Sequence, residues 1–194
     1  MGANKKTDNA LLEPKMMLRR AFLDAYPSER PLRVLNCCEG SDVIWRTLRR
    51  EYACQVAGYD VKKRPGRVAI KSDRILDVAG WQYDVIDIDT YGCPLRHLFK
   101  VVDGLPAHPV TVFLTVGMTR VGGGQVSREY MEAAGLNRLR RKPPPSLMVK
   151  TTGKYMEYLA ARCIHKDILV MDAREAFPQR NARYLGLRLQ RKKT

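Results

Sequence analysis

Paired cysteines are missing from this chain of 194 residues. The five that occur, Cys37, Cys38, Cys54, Cys93 and Cys163, are odd in number and show no CxxC spacing, which argues against both a secreted disulfide framework and a zinc site. Reduced thiols are expected, and Cys37 and Cys38 lie in an apolar run where a thiol behaves as a small hydrophobe. His97, His108 and His165 are scattered and offer no ligand pattern. No apolar segment approaches the roughly 20 residues needed to span a bilayer, and the opening MGANKKTDNALLEPK lacks the apolar core of a secretory signal. The expectation is a soluble, cytoplasmic protein with no membrane partner. Acidic residues are also scarce, with Asp+Glu 20 against Lys+Arg 35 and a formal charge of +15. So lopsided a balance exceeds the needs of solubility and points to a polyanionic partner, nucleic acid first.

What is present is a regular alternation of apolar segments. Residues 1 to 9 are polar, after which Leu11, Leu12, Met16, Met17, Ala21, Phe22 and Ala25 fall at helical spacing until Pro27, as an amphipathic entry helix within an N-terminal extension of residues 1–30. Strands are expected at Arg33–Cys38, Gln55–Tyr59, Val68–Lys71, Asp84–Ile88, Val110–Val116, Ile168–Asp172 and Ala182–Leu189. Helices are expected from Val43 to Tyr52, near Arg74 to Val78, from Leu95 to Val102, around Glu129 to Leu139 and from Leu147 to Ile164. The stretch 117–146, with three consecutive glycines, a basic run and three prolines, reads as an insertion or mobile lobe. No internal repeat is evident, and the length suits one α/β domain spanning 1–194. The last two strands lie close together, which implies a mostly parallel sheet with an antiparallel hairpin at one edge.

The segment Tyr83 to Pro94, YDVIDIDTYGCP, is the most informative. A buried strand ends in Asp89, Thr90, Tyr91 and Gly92, placing an acceptor, a hydroxyl and an aromatic face at a strand's carboxyl edge, where open α/β sheets bind ligands. Asp87, two residues earlier, shares a strand face with Asp89. The plain alternative for the segment is a central strand with an ordinary turn.

This order of elements resembles the class I S-adenosylmethionine-dependent methyltransferases, and DVIDIDTYGCP looks like the motif of tRNA dimethylguanosine methyltransferases, usually IDLDPFGSP. VTVFLTVGM and ARYLGLRL are similar to the following and closing strands of that family. The resemblance covers Arg33 to Val116 and Leu147 to Leu189. It implies a Rossmann-like α/β fold whose mostly parallel sheet has seven strands with an antiparallel strand at its edge, and S-adenosyl-L-methionine as cofactor. Leu35 to Asp42 matches the first cofactor loop, commonly LDLFAGSG, with Asn36 in place of the usual acid and Asp42 in place of the last glycine. Gly40 keeps the backbone approachable. Asp60 matches the acid that accepts hydrogen bonds from the cofactor ribose, and Asp73 matches the residue that contacts the adenine amine; their plain alternatives are a solvated turn and a helix cap. In the same resemblance Asp89 would orient an exocyclic amine and Tyr91 would stack on the base, with Thr90 and Gly92 completing the substrate turn. Thr90 stands where the family has proline. Cys93-Pro94 reverses the order found in cytosine-C5 enzymes, so Cys93 is not read as a nucleophile.

Basic clusters at Lys5–Lys6, Arg19–Arg20, Lys62–Arg67 and Arg188–Lys193, with Arg138, Arg140, Arg141 and Lys142, could together form a phosphate-attracting field and clamp nucleic acid beside the site. The leading expectation is therefore an N-methyltransferase acting on a nucleic-acid base, with RNA preferred over DNA. The chain ends shortly after its last strand, without the additional C-terminal domain of the tRNA enzymes, which leaves DNA, ribosomal RNA or a small substrate open. Two other readings stand beside it. One is a degenerate methyltransferase fold that binds nucleic acid or protein without turnover, favoured by Asn36, Asp42 and Thr90. The other is a nicotinamide-dependent oxidoreductase, against which stands the lack of GxGxxG after the first strand; Gly122-Gly123-Gly124 comes too late to supply it.

Overall fold

The structure is a computed structural model that describes residues 12–61, 69–70, 72–78, 81–90, 93–117, 128–136, 152–176 and 182–192. Its elements are α1 (Leu12–Ala25), β1 (Leu32–Asn36), α2 (Val43–Leu48), β2 (Cys54–Gly58), α3 (Ser72–Val78), β3 (Val85–Ile88), α4 (Leu95–Asp103), β4 (Val110–Gly117), α5 (Arg128–Ala133), α6 (Thr152–His165), β5 (Ile168–Glu175) and β6 (Ala182–Arg191).

Among the described residues six strands form one sheet in the order β2-β1-β3-β4-β6-β5. The four strands from β2 to β4 pair in parallel, whereas β6 is antiparallel to both β4 and β5. Two details depart from the expectation. The antiparallel strand lies one place in from the edge, because β6 returns from the β5 hairpin to pair with β4 along eight residues, Val110 to Gly117. Where a strand was expected at Val68–Lys71, the described residues show a single parallel bridge between Asp60 and Ala69; 62–68 and Lys71 lie outside the described residues.

Central strands buried on both faces carry apolar residues without alternation, and β3 is buried at every position. One layer of the core holds Ile86, Ile88 and Leu114 against α3, α4, α5 and α6. The other holds Val34, Val85 and Phe113 against Met16, Leu18, Phe22 and Leu23 of α1 and Trp45 and Leu48 of α2. Within the expected 117–146 insertion, Tyr130, Ala133, Ala134 and Leu136 pack into the first layer.

α1 crosses the sheet where β6 lacks a side chain. A Cβ on Gly186 would sit 2.3 Å from the Phe22 ring, so only glycine lets the helix approach this closely. Phe22 then meets Phe113 edge to face, with centroids 5.6 Å apart. The inward stripe of α1 differs from the one its apolar residues suggest: Met17 is 61% exposed, while Arg19 is buried. The reason is a partner across the interface, Asp87, which outweighs the desolvation of a guanidinium.

Candidate active site

The chain passes from β1 out to β2 and returns to the opposite side of β1 for β3. This reversal is the topological switch point at which open α/β sheets hold ligands, outside the strands' carboxyl ends. Asn36 to Asp42 leaves the sheet on one side of it and Asp89–Thr90 on the other. The ladder continues past the strand ends, since Cys37 N donates to Asp87 O at 2.9 Å and Tyr59 N to Asn36 O at 2.9 Å.

Asn36 is buried at the end of β1. The loop that follows turns on two left-handed residues, Gly40 at φ 52° and Asp42 at φ 56°. Asp42 thus adopts the conformation that favours glycine at the position where the family pattern has glycine. Arg49 Nη2 holds Asp42 Oδ2 at 2.8 Å, while Asp42 Oδ1 is buried with no hydrogen-bond partner among the described residues. A Cβ on Gly40 would meet nothing nearer than Cys38 O at 3.9 Å, an ordinary van der Waals distance. Gly40 N donates to Asp60 Oδ2 at 2.8 Å, tying the first loop to the acid at the end of β2. Gly58 lies directly beneath the Glu39 carboxylate, whose carbon would be 2.2 Å from any Cβ there.

On the other side of the switch point, the carboxylates of Asp87 and Asp89 face α1, and the helix answers both with cations. Arg19 grips Asp87 bidentately, Nε to Oδ2 at 2.9 Å and Nη2 to Oδ1 at 2.7 Å. The Trp45 indole donates to the same Oδ2 at 2.7 Å. Lys15 Nζ donates to Asp89 Oδ2 at 2.6 Å and lies 5.0 Å from the centre of the Tyr184 ring. Burial pushes the Asp89 carboxyl up, but the Lys15 charge and hydrogen bond, the Arg19 charge and the Thr115 hydroxyl overcome it and hold the group below the usual carboxylate value. Asp89 is therefore an ionised acceptor rather than a stored proton. The neighbouring Thr90 Oγ1 is buried with no hydrogen-bond partner among the described residues.

The Tyr155 hydroxyl is buried with no hydrogen-bond partner among the described residues; burial first, and then the neighbouring Cys93, push its phenol well up. Burial likewise pushes the Cys37 thiol well up, in keeping with a structural rather than a reactive role.

The structure therefore brings Asn36, Gly40 and Asp60 together around one loop and puts Asp89 and Thr90 across the switch point. Tyr91, Gly92, Arg138, Arg140, Arg141 and Lys142 lie outside the described residues, as does the side chain of Asp73 on α3. Sequence reading missed Lys15, whose pairing with Asp89 joins residues 74 apart in the chain.

No family model and no curated protein matches the chain. Solved structures do. Trm1 from Pyrococcus horikoshii in complex with S-adenosyl-L-methionine superposes with a TM-score of 0.59 at 12% identity, covering 93% of this chain and 54% of that one. A 1,6-didemethyltoxoflavin-N1-methyltransferase from Burkholderia thailandensis, with bound 1,6-didemethyltoxoflavin and S-adenosylhomocysteine, matches with a TM-score of 0.51 at 19% identity over 96% of this chain and 80% of that one. The ribosomal protein L11 methylase of Lactobacillus delbrueckii subsp. bulgaricus matches with a TM-score of 0.50 at 14% identity, over 97% and 81%. The chain has the Rossmann-like class I methyltransferase fold. It spans about half the length of the Trm1 chain it resembles.

Proposed function

We propose that the chain is an S-adenosyl-L-methionine-dependent N-methyltransferase acting on an amino group of a nucleic-acid base, with RNA preferred. One observation carries the reading: at the switch point of a class I sheet, a loop turning on a left-handed glycine is tied to a strand-end acid on one side, and an ionised strand-end carboxylate stands on the other.

The residues present fit the cofactor. Gly40, with no Cβ, lets a ligand come close to the loop, and the Asp60 carboxylate that accepts from Gly40 N is the group that would meet a ribose diol. Asp42 Oδ1, buried without a partner among the described residues, is an acceptor at the same loop. When bound, S-adenosylmethionine supplies an electrophilic methyl group on a sulfonium. The protein's task is then alignment. Asp89 would accept the hydrogens of the exocyclic amine, orienting its lone pair, and would take up or relay the proton that the amine loses on methylation. Thr90 Oγ1 would hydrogen-bond the base, and Tyr91 would stack on its face. The preference for RNA rests on the motif's likeness to a tRNA family and on the +15 charge, with Arg138, Arg140, Arg141 and Lys142 as phosphate contacts.

The test is transfer of a labelled methyl group to unmodified tRNA, ribosomal RNA and DNA, with Asp89→Ala as control. Label in RNA that disappears with Asp89→Ala while cofactor affinity persists supports the reading; label in none of the three substrates refutes it. A second reading, a module that binds cofactor and nucleic acid without turnover, is favoured by the lysine already seated on Asp89 and by Asp42 at the glycine position. S-adenosylhomocysteine binding with no methylated product on any substrate would select it. The oxidoreductase reading loses ground to the sheet itself, because an antiparallel strand between β4 and β5 departs from the parallel order of dinucleotide-binding folds.

A further inference from the structure

We propose that Lys15 is a positioning residue of this site: seated on Asp89 Oδ2, its ammonium fixes the orientation of the strand-end carboxylate so that the remaining lone pairs are presented to an amine donor. The inference deepens the methyltransferase reading and rests on it for the identity of that donor.

Three features make the pair more than a surface ion pair. Its length is 2.6 Å, and the Lys15 and Asp89 side chains are 12% and 26% exposed, so water screens it only in part. The ammonium is also boxed in, with the Tyr184 ring below it. Finally, the turn of α1 that carries Lys15 is itself clamped, because Arg19 Nη1 donates to Lys15 O at 2.9 Å while the rest of that guanidinium grips Asp87. Trp45 and Arg19 hold Asp87, Arg19 holds the Lys15 backbone, and Lys15 holds Asp89. The chain of contacts transmits the rigidity of the buried pair to the exposed end of the strand.

A carboxylate has about four lone-pair sites. Lys15 takes one and the Thr115 hydroxyl another, which leaves capacity for the hydrogens of an amine. Among the described residues the groups that act on Asp89 are Lys15 and Arg19 from α1 and the Thr115 hydroxyl of β4, with Asp87 two residues earlier held by Arg19 and the Tyr184 ring of β6 against Lys15. Two cations against one fellow carboxylate, itself already neutralised by Arg19, keep Asp89 an acceptor. Without Lys15 the burial that opposes ionisation goes largely unanswered.

The experiment uses the full chain, with Asp89 followed by carboxyl-carbon NMR across an acid titration and assigned by Asp89→Asn. Lys15→Met is expected to move the Asp89 titration midpoint upward, and Lys15→Arg to restore it, while calorimetry shows S-adenosylhomocysteine affinity unchanged in both. In the methyl-transfer assay Lys15→Met lowers kcat on the order of 10²-fold, the scale of a misplaced group, and shifts the acid limb of the rate profile to higher pH; KM changes little. A midpoint for Asp89 that ignores Lys15→Met overturns the inference whether or not the chain methylates anything. So does a Lys15→Met variant faster than wild type, which would make the lysine a plug rather than a support. A raised midpoint in a chain that methylates no nucleic acid supports the role of Lys15 and overturns the methyltransferase reading instead.

Discussion

Arg19 and Asp87 sit at 3% side-chain exposure each, joined by two hydrogen bonds, with the Trp45 indole on the same carboxylate. Replacing Arg19 by Met keeps much of the side chain's volume and removes the charge, leaving Asp87 buried with Trp45 as its remaining partner. An uncompensated buried charge costs about 3–5 kcal/mol, and the contact of the guanidinium with the Phe113 ring, at 5.0 Å, is lost as well. For a chain of this size each kcal/mol moves Tm by about 2–4 °C, so Arg19→Met is expected to lower it by roughly 6–20 °C. Removing every polar member together, as Arg19→Met, Asp87→Leu and Trp45→Phe, leaves no orphaned group and is expected to regain most of that loss, since apolar replacements of a buried ion pair are often neutral or better. Urea unfolding at pH 7, followed by tryptophan fluorescence in the single variant and by far-ultraviolet circular dichroism in all, gives the three free energies. A single variant that loses under about 1 kcal/mol would refute the reasoning, because a charge truly sealed under α1 cannot be abandoned so cheaply.

Three further outcomes follow from the same geometry. Asp42→Gly removes a left-handed non-glycine residue at the cost of a half-exposed ion pair with Arg49, and is expected to leave stability unchanged or raise it by up to about 1 kcal/mol, whereas Asp42→Val, β-branched at φ 56°, loses about 1–3 kcal/mol by chemical denaturation. Gly186→Ala drives a methyl into the Phe22 ring and is expected to cost about 1–3 kcal/mol, partly recovered by Phe22→Leu; an alanine that unfolds like wild type would mean that α1 does not press on β6. For Asp84, burial pushes the carboxyl up, but Arg30, the Arg33 amide and the Arg33 charge win and hold it below its ordinary value of 3.8. Its folded-state value being the lower one, its contribution is complete above the unfolded value and is lost as pH falls through the folded one. Asp84→Asn is therefore expected to flatten the stability curve below about pH 4 while wild type drops.

The local chemistry of the fold was legible because it is written in short-range pattern. β3 and β4 are apolar at nearly every position, as strands buried on both faces must be, and they occur at Asp84–Ile88 and Val110–Val116 to within a residue. The strand-end aspartates could be ranked as site residues because their place at a carboxyl edge follows from the alternation alone. What stayed hidden depends on distant pairings. Arg19 and Met17 exchange the places that hydrophobicity assigns them because Asp87, 68 residues away, needs a partner. The position of β6 is set in the same way, since Gly186 admits Phe22 and the strand then pairs with β4 rather than stopping at the edge. Lys15 was invisible as a site residue for the same reason: nothing near it in the chain announces that Asp89 lies above it. The departure of Asp42 from the glycine pattern was visible as a letter, but that aspartate still takes up the glycine's backbone angle only the structure reveals.

The central claim is that the two sides of the switch point hold a sulfonium nucleoside. Calorimetric titration of the full chain with S-adenosylhomocysteine tests it most directly, comparing wild type with Asp60→Ala and Gly40→Val. Saturable binding to wild type is expected, weakened by about tenfold or more when Asp60 loses its carboxylate, about 1.4 kcal/mol, and lost when a side chain fills the space beside Gly40. Wild-type protein that takes up no heat of binding at millimolar ligand, or that binds equally well without the Asp60 carboxylate, would contradict it.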